Sequence, residues 1–96
     1  MKKVVLEGSS FVTVRDVHTV LAEALDFGPY YGFNPDALWD VLTTDVERPV
    51  IIEWKNSLVS EKRLGAEFEK IVDVLRRVVD FDNEMGFKEK IQLKLL

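Results

Sequence analysis

Three segments of strand-like composition are separated from one another by helical segments, and this alternation constrains the fold more than any other feature. The segments lie at residues 4–6, 50–54 and 88–96. Strands whose connections contain helices cannot pair as hairpins, so they lie parallel, with right-handed crossovers between them. The order β, α, α, β, α, α, β therefore predicts an α/β fold with a small parallel sheet and about four helices. A chain of 96 residues supplies one core, so we expect a single domain over residues 1–96.

The three predicted strands differ in their expected burial. The first, residues 4–6, is a continuous apolar run ended by a glycine, which fits a buried strand in a central place. Residues 50–54 form the clearest strand because they are rich in β-branched side chains. In residues 88–96, apolar and polar side chains alternate, which predicts an edge strand with one solvent-exposed face.

Three of the helices are predicted from apolar spacing and from their end signals. The first begins at a capping box, Thr13-x-x-Asp16, and stops at a Gly-Pro pair. A short helix is expected at residues 57–64, closed by a glycine, and residues 66–79 show the strongest amphipathic pattern of the chain.

The remaining helix carries the candidate binding surface. Asn34 is a strong N-cap, and Pro35 fits the first helical position, where its missing N–H has no cost. At about 100° per residue, the apolar side chains fall on one side of this helix and can face a core. Those side chains are Leu38, Val41 and Leu42. The opposite side holds Asp36, Asp40, Trp39 and Thr43. We expect the helix to end near residue 43 or 44, because Asp45 would otherwise turn into the core.

Asp36 and Asp40 differ in how well folding alone explains them. Asp36 stands in the first turn, where the helix dipole favours a carboxylate. Asp40 lies beyond that turn, four residues from Asp36, where like charges repel by about 0.2–0.5 kcal/mol. Trp39 is open to two interpretations, as a contact residue or as a core residue at the edge of the apolar stripe. An exposed acidic and aromatic face suits a cationic ligand, and Asp40 is the strongest candidate to bind it.

The distribution of charge supports a basic partner. The net charge is −4, yet no Lys or Arg occurs between Arg15 and Arg48. That interval holds seven acids: Asp16, Glu23, Asp26, Asp36, Asp40, Asp45 and Glu47. The other ten acids and thirteen bases give the rest of the chain a charge of +3. An acidic sector attracts basic partners and repels nucleic acid, although such a charge run is also typical of a merely solvated face.

Residues 30–40, YYGFNPDALWD, resemble the signature of the barstar family, Tyr-Tyr-Gly-x-Asn-x-Asp-Ala-Leu-Trp-Asp, in nine of eleven positions. The similarity extends to KKVV at the start, DVHTVL in the first helix, RPVIIEW at the second strand and GAE opening a later helix. Barstar is the intracellular inhibitor of the ribonuclease barnase. The resemblance implies a barstar-like fold, in which a three-stranded parallel sheet of order 1-2-3 packs with its helices in two layers.

The resemblance also implies a function and a binding site. It implies a cytoplasmic protein that blocks the active site of a secreted, basic, barnase-like ribonuclease, as a monomer in a 1:1 complex. The acidic helix and the loop before it would enter the phosphate-binding cleft and mimic RNA phosphates. The implied contact positions are Tyr30, Asn34, Asp36, Trp39, Asp40 and Thr43, with Thr44 beside them.

The sequence departs from the family pattern in three places. Thr44-Asp45 replaces Gly-Trp, Arg77 stands where a carboxylate is expected, and FDNEMGFKE lengthens the C-terminal part. These departures leave the partner open. The alternative is an immunity-type or regulatory module that binds a basic protein other than a ribonuclease.

The usual catalytic constellations are missing from the sequence. There is no cysteine, no Gly-rich phosphate loop and no metal-ligand spacing, and we expect a structural role for the single histidine, His18. Asp36 with Asp40 is the one candidate carboxylate pair, but an exposed convex helix lacks the cleft that such chemistry needs. We therefore expect a protein that is not an enzyme and uses no cofactor or metal. The start has too few apolar residues for a signal peptide, and no run reaches the roughly 20 residues of a membrane helix.

Overall fold

Three strands and four helices alternate along the chain, as the computed structural model, which describes residues 1–96, shows. A short 3-10 turn, Gly8–Ser10, follows the first strand. The strands are β1 (Lys2–Glu7), β2 (Val50–Lys55) and β3 (Ile91–Leu95). The helices are α1 (Val14–Leu25), α2 (Pro35–Thr44), α3 (Ser57–Leu64) and α4 (Ala66–Glu84). None of the helices combines the length and the apolar character needed to cross a membrane.

The sheet confirms the predicted order and direction of the strands. β2 lies in the middle and pairs in parallel with both neighbours, so the order is β1-β2-β3. Val4, Ile52 and Leu93 share one row of this ladder. Each strand turns alternate apolar side chains toward the helices, while its other face is exposed or half-buried. The molecule is therefore the predicted two-layer α/β fold.

Three details of the predicted elements were wrong. β1 lies at an edge, as the order 1-2-3 requires, and not in the central place that its continuous apolar run suggested, and its outward-facing Val5 is 43% exposed. β3 begins at Ile91, three residues later than expected. Helix α4 runs to Glu84 instead of residue 79. Its last turns are stabilised because Phe81 packs against Trp39 and Asp82 bonds to Arg48. The polar sequence around these two residues gives no sign of either contact.

Trp54 lies at the centre of the core. It is completely buried, and its ring packs edge-on against Phe11 and Phe68, with centroids 6.1 and 5.0 Å away. Its indole nitrogen donates to the Ser60 hydroxyl at 3.0 Å, and that hydroxyl donates to the Gly8 carbonyl at 2.9 Å. A Cβ at position 8 would stand 2.5 Å from the Ser60 oxygen, so only glycine permits this close approach.

Asp82 ties the end of α4 to the sheet. Its carboxylate is fully buried and accepts hydrogen bonds from Arg48, at 3.0 Å from Nε and 2.8 Å from Nη2. It also accepts the backbone N–H of Ile91 at 2.8 Å, while Arg48 donates from Nη1 to the Val46 carbonyl. One carboxylate thus holds together α4, the segment before β2 and the start of β3.

We predict that Asp82→Asn strongly destabilises the fold. The substitution keeps the shape but leaves the mostly buried Arg48 guanidinium without its counter-ion, which typically costs about 3–5 kcal/mol. Urea unfolding measures this loss. The control is Asp80→Asn, an exposed acid two residues earlier that makes no ion pair and should change the free energy of unfolding by less than about 0.5 kcal/mol. Equal effects of the two substitutions would contradict the anchoring role.

Candidate functional site

Helix α2 starts where the sequence predicts. The Asn34 side chain accepts the backbone N–H of Ala37 at 2.8 Å and donates to the Gly32 carbonyl at 3.2 Å. Pro35 occupies the first turn, and Asp45 closes the helix by donating its N–H to the Val41 carbonyl. Asn34 therefore shapes the loop and the helix start, and its exposed amide keeps one N–H and one lone pair for other contacts.

The loop before α2 is fastened to α1 by aromatic packing. Phe33 has a left-handed backbone, with φ of 53°, which costs a non-glycine residue about 1–2 kcal/mol. Its ring packs against Tyr31 with centroids 5.0 Å apart, and the Arg15 guanidinium lies 4.2 Å from the centroid of the Phe33 ring. The Tyr31 hydroxyl makes a 2.6 Å hydrogen bond with Nδ1 of the buried His18. These contacts hold the strained turn in one conformation.

Burial sets the protonation states of this pair. Burial, and next the positive charge of Arg15, hold the pKa of His18 below its ordinary value of 6.5, while Glu67 partly opposes them. Burial raises the pKa of Tyr31 above its ordinary value of 10.0. His18 is therefore neutral and Tyr31 keeps its proton near neutral pH, and the expected structural role of His18 has a visible partner.

The candidate contact residues follow one another around α2. At about 100° per residue, Trp39, Thr43, Asp36, Asp40 and Thr44 succeed one another across the side of the helix that points away from Leu38 and Leu42. Asn34 caps this helix, and Tyr30 lines the same groove as Thr44. We call these seven residues the α2 face: Tyr30, Asn34, Asp36, Trp39, Asp40, Thr43 and Thr44. The structure brings them onto one surface, and their contact with a partner remains a prediction.

A groove of about 570 Å³ separates the loop from α2. Tyr30, Asp40 and Thr44 all line it, and the Tyr30 side chain is 96% exposed above it. Asp36 lies outside this groove. The two carboxylates are thus presented side by side on a convex helix and do not share an enclosed pocket.

The carboxylates of the acidic sector are free of internal cations. All four ion pairs of the protein use acids outside residues 16–47, namely Glu53, Glu67, Asp73 and Asp82. Asp36 and Asp40 are exposed and have no Lys, Arg or His within 4.0 Å. Their charge is available to an external ligand.

The two threonines satisfy their hydroxyl protons within the helix. Thr43 donates to the Trp39 carbonyl at 2.7 Å, and Thr44 donates to the Asp40 carbonyl at 2.6 Å. Both oxygens retain acceptor capacity, so the two threonines and the two aspartates offer acceptors but no unused side-chain donor.

Trp39 lies between the two environments, exposed face and core, that its sequence position allows. Its side chain is half-buried, and its ring packs edge-on against Phe81 of α4, with centroids 5.8 Å apart. The Arg77 guanidinium lies over the ring at 5.1 Å from its centroid. Trp39 therefore belongs to the margin of the core and to the exposed face at once.

No three His, Asp or Glu side chains lie close enough together to hold a metal ion.

The chain matches the family model described as Barstar (barnase inhibitor) over residues 1–94. This chain belongs to the barstar family. Among curated proteins it is similar to the "Putative ribonuclease inhibitor YrdF" of Bacillus subtilis (strain 168), with 37% identity over 76 residues, which is 79% of this chain and 84% of that protein. Members of the family are binding proteins and not enzymes, which agrees with the expectation from the sequence.

Sequence reasoning missed the residues that support the face of this barstar-family protein from behind. The partner of His18 was not foreseen, although Tyr31 stands within the quoted signature. Asp82 lies 34 residues from Arg48, and a lone aspartate in a polar stretch carries no signal for such a distant pair. Arg77 drew attention as a departure from the family pattern, but its stacking on Trp39 became visible only in the fold.

We predict that His18 makes stability depend on pH just below neutrality. Its pKa in the folded state is depressed, so the unfolded chain binds more protons once the pH falls below about 6.5. This contribution is complete above that pH and is lost progressively as the pH falls toward the folded-state pKa. No other histidine titrates in the window. Urea unfolding of His18→Gln at several pH values should show a flatter dependence there.

Tyr31→Phe is the matched control, because it removes the hydroxyl but keeps the titrating ring of His18. It should lower stability while retaining the pH dependence. Glu7 and Asp16, whose pKa values are lowered, change the stability only at more acidic pH and so do not affect this window. Hydrogen bonds from Asn56 and Ser9 lower the pKa of Glu7, and the backbone N–H groups of Thr13 and Val12 lower that of Asp16. An identical pH slope in His18→Gln and the wild type would contradict the prediction.

Proposed function

We propose that this protein inhibits a basic, barnase-like ribonuclease by placing the α2 face in the active site of the enzyme. The observation that carries the proposal is the pair of exposed carboxylates, Asp36 and Asp40, free of any internal cation, in a chain of the barstar family. The proposed place of action is the cytoplasm of the producing cell, where an inhibitor guards against an enzyme destined for secretion.

The proposed mechanism is mimicry of RNA. Asp36 and Asp40 take the places of phosphates and accept charge-assisted hydrogen bonds from Arg, Lys or His side chains of the enzyme. Tyr30 lies across the groove from Asp40 and supplies a rigid apolar surface against those side chains. Trp39 does the same at the other edge of the face.

The fastening of the loop supports tight binding. The left-handed turn at Phe33 is held by packing and by the bond between Tyr31 and His18, so the loop needs little ordering on association. Ordering side chains and loops opposes binding by about 0.5–1.5 kcal/mol for each mobile side chain. A face prepared in this way retains more of its interaction energy as affinity.

A second candidate function is immunity to a basic toxin that is not a ribonuclease, or regulation of such a protein. Asp45, beside the groove, and Arg77, over Trp39, favour a changed partner because both departures lie at the α2 face. The two candidates share the face and differ in the enzyme that binds it, so an inhibition assay separates them.

We predict that Asp40→Ala weakens binding far more than it changes folding. Truncating one member of a buried charge pair costs about 2–5 kcal/mol of binding free energy, because the cation of the partner loses its counter-charge. Since Asp40 makes no side-chain bond in the free protein, its free energy of unfolding should change by less than about 1 kcal/mol. Titration calorimetry against the ribonuclease and urea unfolding measure the two effects.

Glu23→Ala is the matched control for Asp40→Ala. Glu23 is exposed in the same acidic sector but lies on α1, so its loss tests long-range attraction without removing a contact of α2. It should weaken binding by much less than Asp40→Ala. An unchanged dissociation constant for Asp40→Ala would remove Asp40 from the site.

We also predict that inhibition is competitive with RNA. If the carboxylates occupy phosphate positions, inhibitor and substrate exclude each other, and the apparent inhibition constant rises linearly with the RNA concentration. A bound 3′-nucleotide should likewise be displaced when the protein binds. Steady-state inhibition at several RNA concentrations decides the point. Noncompetitive inhibition would rule out mimicry, and no inhibition of any ribonuclease would favour the second candidate function.

A further inference from the structure

Arg77 brings a positive charge to the edge of the α2 face. Its guanidinium lies 5.1 Å from the centroid of the Trp39 ring, reaching the face from α4. No other Lys or Arg makes an ion pair, a hydrogen bond or a ring contact with a member of the face. A face whose other charged groups are both carboxylates, Asp36 and Asp40, therefore ends in one cation.

The internal partner of Arg77 does not neutralise it firmly. The Asp73 carboxylate, one turn earlier on α4, lies 3.3 Å from Nε of Arg77. The side chain of Arg77 is 53% exposed and that of Asp73 is 69% exposed. Pairs that are this exposed contribute about 0–1 kcal/mol and are screened by salt. The remaining guanidinium N–H groups can bond to an external acceptor while the guanidinium stays over the ring of Trp39.

A uniformly basic partner would fit this edge badly. The cations that suit Asp36 and Asp40 would meet a like charge at Arg77, whereas a carboxylate would form a charge-assisted, bidentate pair over an aromatic surface. We infer that the partner carries an Asp or Glu side chain beside its basic cleft, opposite Arg77, and that Arg77 selects such partners. This inference rests on the proposed function, because it takes the α2 face as the surface that binds the enzyme.

A specific pair at Arg77 and a general attraction of charges predict opposite effects of Arg77→Glu on binding. Arg77→Glu makes the face more negative by two charges, which by general electrostatic attraction should tighten binding to a basic enzyme. A specific pair between Arg77 and a carboxylate predicts weaker binding instead. The direction of the change therefore distinguishes the two accounts.

The probe is the ribonuclease that the wild-type protein inhibits best among a panel of small basic enzymes of the barnase type. Against it, the inhibition constant of Arg77→Glu should rise by about tenfold or more. Arg77→Lys keeps the charge and should lose less. The matched control is Arg76→Glu, which makes the same change of charge on the neighbouring residue. Arg76 lies on the other flank of α4, beside Leu93 and Leu95 of β3, and its substitution should leave inhibition nearly unchanged or slightly tighter.

A charge swap completes the test. Replacing acids at the rim of the enzyme cleft by Lys, one at a time, should yield one variant that the wild type inhibits poorly and that Arg77→Glu inhibits better. Urea unfolding shows whether each variant of the inhibitor is folded. An unchanged or lower inhibition constant for Arg77→Glu would overturn the inference. So would equal losses in Arg77→Glu and Arg77→Lys, or the absence of any rescuing swap, because Arg77 would then act only by supporting Trp39.

The same assay separates this inference from the proposed function. If Asp40→Ala retains full inhibition, the α2 face is not the site and both fail. If Asp40→Ala loses inhibition while Arg77→Glu gains it, the proposed function stands and only the acidic neighbour in the partner is rejected.

Discussion

The buried pair of Asp82 and Arg48 is the interaction that holds α4, the longest helix, against the sheet. A carboxylate with no solvent contact persists only when its hydrogen-bonding capacity is filled, and Asp82 meets this condition with the Arg48 guanidinium and the Ile91 amide. These donors come from segments far apart in the chain. Phe81, one residue earlier, packs against Trp39 of α2. The same turn of α4 that is bonded to the sheet therefore also packs against α2.

Much of the fold could be predicted because its signals are local. Apolar periodicity, the Asn34-Pro35 start and the β-branched second strand gave the element types, and helical connections imposed a parallel sheet. The place of β1 at an edge and the extra length of α4 could not be read in this way. The position of β1 depends on which strands pair with each other, and periodicity does not show this. The length of α4 depends on the contacts of Phe81 with Trp39 and of Asp82 with Arg48.

The candidate site was predicted in part for the same reason. Asp36, Trp39, Asp40 and Thr43 lie on one short helix, so their common face follows from spacing alone. The support behind that face could not be inferred, because His18, Tyr31 and Phe33 meet through a left-handed turn that a bulky residue rarely adopts. Which side chains share the surface of a helix follows from their spacing in the sequence. Which residues pack behind that helix depends on contacts between different segments, and the sequence does not show them.

The two tryptophans occupy opposite ends of the range of environments in this protein. Trp54 is sealed in the core with its indole bonded to Ser60, whereas Trp39 is half-exposed beneath the Arg77 guanidinium. Intrinsic fluorescence therefore contains two separable reporters. Emission from Trp54 senses water only when the core opens, and emission from Trp39 senses whatever covers the α2 face. In Trp39→Phe the remaining tryptophan fluorescence comes from Trp54 and reports on the core. In Trp54→Phe it comes from Trp39 and reports on contacts at the α2 face.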